Sequence, residues 1–183
     1  MSVSIVWRRL DRPGHDSCTL RRFRQSWLLD GVSIWHDPAG PARLSYLIRC
    51  DADWRARSAH LIGRVGETVL DLQIARGSDG IWGMNGKALS GSDSATDFDL
   101  GFTPATNTLV LRRLMHEGKE QDQQLAVWLD ESDWQPKLLT QSYRREADER
   151  WHFESARGDA QAALSVDHCG FVTDYPGFWK QEG

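Results

Sequence analysis

The sequence predicts a mainly β protein: a curved antiparallel sheet forming a half-barrel or open barrel, with one or two short helices. Three observations carry this expectation. Apolar and polar residues alternate with period two in short segments, Gly, Asp, Asn and Pro divide those segments, and helical periodicity is scarce. Many short strands would leave long unpaired edges unless the sheet closes or folds over itself, so strong curvature is expected.

Taken in order, Leu20 to Leu28 reads as a strand. Asp30-Gly31 follows it as a candidate hairpin turn, and Asp79-Gly80 and Asn85-Gly86 offer the same option, because these dipeptides accept the positive φ values of a type I′ turn. Over Leu44 to Asp51, Leu44, Tyr46, Ile48 and Cys50 fall on one face and Ser45, Leu47, Arg49 and Asp51 on the other. The first face reads as core. Leu70, Leu72 and Ile74 oppose Asp71 and Gln73 in the same way over Val69 to Ala75. Thr103-Pro104, a capping residue before proline, predicts a short helix over Ala105 to Leu114, which the β-branched Thr106, Thr108 and Val110 oppose. Leu125 to Leu129, Leu138 to Arg144, Trp151 to Ser155 and Phe171 to Tyr175 read as further strands, and Asp159 to Leu164 as one or two helical turns.

At 183 residues the chain lies within the range one core can organise, so a single domain over 1–183 is expected. No apolar run approaches the roughly 18 residues that a membrane-spanning helix needs. The first eleven residues lack the apolar stretch and cleavage site of a secretory signal. Cys18, Cys50 and Cys169 cannot all pair and fit no metal spacing, which points to reduced thiols and a cytoplasmic location. A net charge of -4 argues against nucleic acid as the partner.

Nine tryptophans are an unusual endowment. Any one of them reads as core filler, but the excess predicts a roomy, aromatic-lined interior whose rings can stack on sugar C–H faces or acyl chains. Asp97 and Asp99 share one face of a short alternating run, and Arg49, Arg112 and Arg113 are the candidate partners for them. In a strand, Arg112 and Arg113 would face opposite sides; in a helix both could reach one groove. Paired carboxylates also raise the alternative of a hydrolase or lyase acting on a sugar-containing or acyl substrate through Asp97, Asp99 or Asp174. The six histidines form no metal-binding spacing, His168-Cys169 reads as turn plus structural thiol, and nucleotide or serine-hydrolase motifs are absent, so neither metal nor cofactor is expected.

Four ordered blocks resemble the bacterial putative glycolipid-binding family. They are Asp97-Phe98-Asp99-Leu100 with the run from Thr103 to Leu114, Tyr46 to Asp51 with Trp54, Arg55 and Arg57, Gln141-Ser142-Tyr143 with Trp151 to Ser155, and Val166-Asp167 through Asp174 to Trp179. Ser94-Ala95-Thr96 stands where the family usually has Gly-Cys-Leu, and Val110 where it usually has Pro. The resemblance implies a half-barrel around a short helix, similar in shape to outer-membrane lipoprotein carriers, and a small amphipathic ligand held without catalysis in the concave face. Arg49, Asp51, Trp54, Trp82, Asp97, Asp99, Asn107, Arg112, Arg113, Gln141, Tyr143, Tyr175 and Trp179 are the candidate ligand-binding residues.

Overall fold

The computed structural model describes residues 2–146, 149–156 and 161–183. The first half is an antiparallel meander: β1 (Ser2–Arg9), β2 (Gly14–Phe23), β3 (Ser26–Asp37), β4 (Gly40–Cys50), β5 (Ala56–Val65), β6 (Thr68–Arg76), β7 (Trp82–Met84) and β8 (Lys87–Ala88). The chain then crosses to the other edge with β9 (Asp97–Leu100), enters α1 (Asn107–Glu117), and returns. The return runs through β10 (Gln121–Asp130), β11 (Gln135–Arg145), β12 (Arg150–Ser155), β13 (Gln161–Val166), β14 (Val172–Tyr175) and β15 (Trp179–Gln181), which pairs with β1. Among the described residues this makes one 15-stranded sheet with β8 and β9 as its edges.

The sheet is not closed into a barrel. Instead the segment between β8 and β9 bridges the edges: the Trp82 indole N–H donates to the Ala95 carbonyl at 3.0 Å, the Thr96 N–H donates to Leu125, and Trp82 stacks on Phe98. β9 pairs in parallel with β10, a departure from an otherwise antiparallel sheet that follows from its reaching the far edge by a crossover.

Alternation read from the sequence matches the burial in β4 and β6, where Leu44, Tyr46, Ile48, Cys50, Leu70, Leu72 and Ile74 all face the core. Asn85 and Gly86 have φ of 49° and 80° and join β7 to β8 as a type I′ turn. Gly80, with φ of 87°, closes the turn that starts at Gly77.

Four local expectations are corrected. Leu20 to Leu28 is two strands, because Arg24 takes a left-handed φ of 55° and turns the chain. Asp30-Gly31 is no turn but lies inside β3, where Gly31 makes room for a neighbour: a Cβ there would sit 2.3 Å from the Tyr46 ring. Substituting Gly31 by alanine should therefore cost about 1–3 kcal/mol by overpacking, measured as a shifted urea midpoint. The helix starts at Asn107 rather than Ala105, after turns in which the N–H groups of Asn107, Thr108 and Leu109 each bond the carbonyl three residues back. Gln161 to Leu164 belong to β13, and the remainder of that expected helical turn, Asp159 and Ala160, lies outside the described residues.

The helix lies against the concave side and is buried almost all round over its first two turns, which lets tertiary packing override its β-branched content. Leu109 joins the core built mainly on β1 to β7 and β9, which also takes in Val127, Leu129, Phe171 and Trp179, while Val110, Leu111 and Leu114 pack with Tyr143, Trp151, Phe153 and Leu164. Gly118 ends the helix in a left-handed conformation, its N–H bonding the carbonyls of Leu114 and Met115. The tryptophans mostly fill this core rather than lining a roomy space: Trp7, Trp35, Trp54, Trp82, Trp151 and Trp179 are buried.

Candidate functional site

Period two places Leu139, Gln141 and Tyr143 of β11 and Phe153 and Ser155 of β12 on the concave side, opposite the start of α1. Between them and the helix lies a cavity of about 220 Å³. Asp99 and Gln141 form its polar floor, with Asn107 from the first turn of α1, and Trp128, Tyr175, Phe178 and Trp179 are its aromatic walls. A wider furrow along β6 to β8, about 690 Å³, is lined by Asp71, Gln73, Arg76, Asp79 and Asn85 and lies open to solvent rather than enclosed.

Asp99 organises the floor. Its carboxylate accepts the Thr106 hydroxyl and the Gln141 amide, each at 2.6 Å. Thr106 stands at the helix N-cap but makes no side-chain cap bond, because its hydroxyl is directed to Asp99. Burial raises the Asp99 pKa above the ordinary carboxylate value, outweighing these two bonds. Asn107 donates to the Tyr143 hydroxyl at 2.7 Å, which ties α1 to β11. Tyr143 is itself buried, and that burial pushes its phenol well above 10. From it an aromatic chain runs outward through Phe153, Tyr175 and Phe178, with ring centres 5.0 to 6.0 Å apart, and Phe178 is 39% exposed at the rim. The Arg9 guanidinium lies 5.2 Å from the Trp179 ring and bonds Asp11 and Glu131, bracing that wall.

Of the candidate residues, the fold brings Asp99, Asn107, Gln141, Tyr175 and Trp179 to this cavity, with Tyr143 directly behind Asn107. The others lie elsewhere. Asp97 is sealed in a two-pronged ion pair with Arg113, at 2.6 and 2.8 Å, so the two aspartates have separate surroundings. Arg112, one helical step away, stacks 4.7 Å from the Trp54 ring and donates to the His168 carbonyl instead. Arg49 and Asp51 sit at the β4–β5 loop, where Asp51 holds Arg57. Trp82 bridges the sheet edges. β1 separates the two regions, since its last residue Arg9 pairs with Trp179 and its first, Ser2, with Arg21 near the β2–β3 turn.

Sequence reasoning missed Leu139, Trp128, Ser155 and Phe178 as lining residues. Alternation with Gln141 and Phe153 was the available signal for Leu139 and Ser155. Cys169 has its thiol 3.3 Å from His168, but burial raises the thiol pKa, and Asp167 accepts the N–H groups of Cys169 and Phe171 in a tight loop, a structural arrangement. Among the described residues no cluster of three or more His, Cys, Asp or Glu side chains could hold a metal, and no helix is long and apolar enough to cross a membrane.

Fold and site together define a class: an open, barrel-like antiparallel sheet with a helix on its concave side and an aromatic cavity with a polar floor. The chain belongs to the putative glycolipid-binding family, whose model matches residues 4–181. It is similar over 91% of its length, at 28% identity and a TM-score of 0.76, to 92% of a DUF1089 family protein from Pseudomonas aeruginosa known by crystal structure. A β-barrel-like protein of domain of unknown function DUF1849 from Brucella abortus shares the fold at 12% identity, with a TM-score of 0.56, over 98% of this chain and 94% of that one. No curated protein matches. Family and fold both fit ligand binding.

Proposed function

We propose that the chain binds an amphipathic ligand, a glycolipid or a lipid with a hydroxyl-bearing headgroup, without catalysis. The observation that carries this is the cavity itself, in which a carboxylate and two amides converge among aromatic rings. Sugar hydroxyls can donate to Asp99 and accept from amide N–H groups, while their C–H faces lie on Trp128, Tyr175 or Trp179. The volume is below the roughly 300–1,000 Å³ of pockets that enclose whole drug-sized ligands, so the cavity takes a headgroup and leaves the acyl part at the rim, over Phe178. A hydrolase would need a second acid beside Asp99. Asp99 is the one carboxylate among the described residues lining the cavity, because Asp97 is paired with Arg113.

Titrating a rhamnolipid below its micelle concentration should change tryptophan emission saturably, with Trp128 and Trp179 as reporters. Gln141→Leu should weaken that binding about tenfold or more by leaving a ligand hydroxyl unpaired. No response to glycolipids, lipids or free sugars would sink the reading, and release of free sugar or fatty acid from the ligand would replace it with the hydrolase.

A further inference from the structure

At the end of the sheet away from the cavity, guanidinium groups and aromatic rings alternate. Phe23, in the tip of the β2–β3 hairpin, is 39% exposed and has Arg24 at 5.5 Å and Arg49 at 5.6 Å from its ring centre. Arg22 stands 5.8 Å from the Trp27 ring, which stacks on Trp54 at 4.5 Å. A shallow depression opens between Arg24, Arg49 and Arg57. Two acids at this end are already engaged, Asp30 by Arg21 and Asp51 by Arg57, and Asp53 remains exposed in the β4–β5 loop. Arg22, Arg24 and Arg49 have no carboxylate partner among the described residues.

A guanidinium lying on a ring keeps its charge while shedding part of its hydration, which suits it to a boundary between water and an apolar phase. An exposed aromatic side chain at a turn tip, ringed by such cations, has the chemistry of an interfacial anchor. Bases of a nucleic acid would need free ring faces, whereas Trp27 and Trp54 stack on each other. Exposed Leu47, two residues from Arg49 on the same strand face, extends the apolar contact.

We propose that this rim docks the protein on an anionic lipid surface, Phe23 entering the headgroup layer while Arg22, Arg24 and Arg49 meet lipid phosphates. The docking is independent of what fills the cavity. Cosedimentation with vesicles of phosphatidylcholine alone, or mixed with phosphatidylglycerol, tests it. The protein should pellet with the anionic vesicles only, and added salt should release it. Each arginine neutralised should weaken binding about fivefold, so Arg24→Gln with Arg49→Gln should weaken it about 25-fold at an unchanged melting temperature. Phe23→Ser should weaken binding at constant charge, and Gln141→Leu, which alters only the cavity, should bind vesicles as the wild type does. Equal pelleting with neutral vesicles, indifference to the arginine and Phe23 changes, or arginine-dependent binding of single-stranded RNA or inorganic phosphate without vesicle binding would overturn the proposal.

Discussion

Replacing Arg113 by alanine should lower stability by about 3–5 kcal/mol, because it strands the Asp97 carboxylate in the core. Both side chains are almost wholly buried, and the guanidinium meets both Asp97 oxygens in a planar fork while also donating to the side-chain carbonyl of Gln124. Burial disfavours the charged guanidinium, yet the Asp97 pairing overcomes it and raises the Arg113 pKa. The melting temperature should fall by on the order of 10 °C for a chain of this size. Arg112→Ala should cost much less, about 1 kcal/mol, since Arg112 only stacks on Trp54 and touches a backbone carbonyl. Combining Arg113→Met with Asp97→Leu should recover most of the loss, because the penalty belongs to the unpaired charge and not to the missing pair. Urea denaturation of these variants measures all three, and a loss below about 1 kcal/mol for Arg113→Ala would mean that the pair is solvated.

Stability should also fall as pH rises from about 4 to about 7, and Asp16 is the cause. This aspartate sits on the concave face of β2, opposite Trp7 and Ser33 in the pairing register, where it accepts the Tyr46 hydroxyl at 2.7 Å. Burial raises its pKa to about 7, against the nearby hydroxyls of Tyr46, Thr103 and Ser33 and the charge of Arg9. The folded chain thus keeps a proton that the unfolded chain releases near the ordinary value of 3.8. Between those two values folding becomes less favourable, by on the order of 4 kcal/mol in total. Asp99, raised for the same reason, adds to this slope. Asp130 acts oppositely and only in more acid solution, because Lys137 and Ser132 hold it, against its burial, at about 2. Asp16→Asn keeps the shape and can still bond Tyr46, so it should flatten the profile and exceed the wild type in stability at pH 8. Parallel curves for the two proteins from pH 4 to 8 would assign the slope to other groups.

Asp16 and Arg9 show how much of the interior was legible. Both obey the alternation that places Cys18 and Leu20, or Ile5 and Trp7, on the core face, so their positions were readable from the pattern. Their partners were not, since Tyr46 lies in β4 and Glu131 in the turn between β10 and β11, both far away in sequence. The same limit applies to the aspartates of β9: a shared face was evident, but Arg113 engages one and Gln141 the other. Arg113 and Gln141 both follow that short strand in the chain, and one reaches it from the helix, the other from the returning sheet.

Local chemistry, then, determined the strand-rich character, the inward faces of β4 and β6, the Asn85-Gly86 turn and the presence of one short helix, because alternation and turn preference depend on neighbouring residues alone. Tertiary structure decided the rest. Arg24 accepts a left-handed turn where no glycine signals one, Gly31 stays in a strand because the Tyr46 ring needs its space, and a β-branched segment is helical because it is buried almost all round. It also decided which candidates meet at a site: Asp99, Asn107 and Gln141 converge only because β9 reaches the far edge of the sheet and α1 lies back across its concave side. Such convergence joins residues of separate elements, Asp99 and Gln141 standing 42 positions apart, a distance over which the period of a strand carries no information.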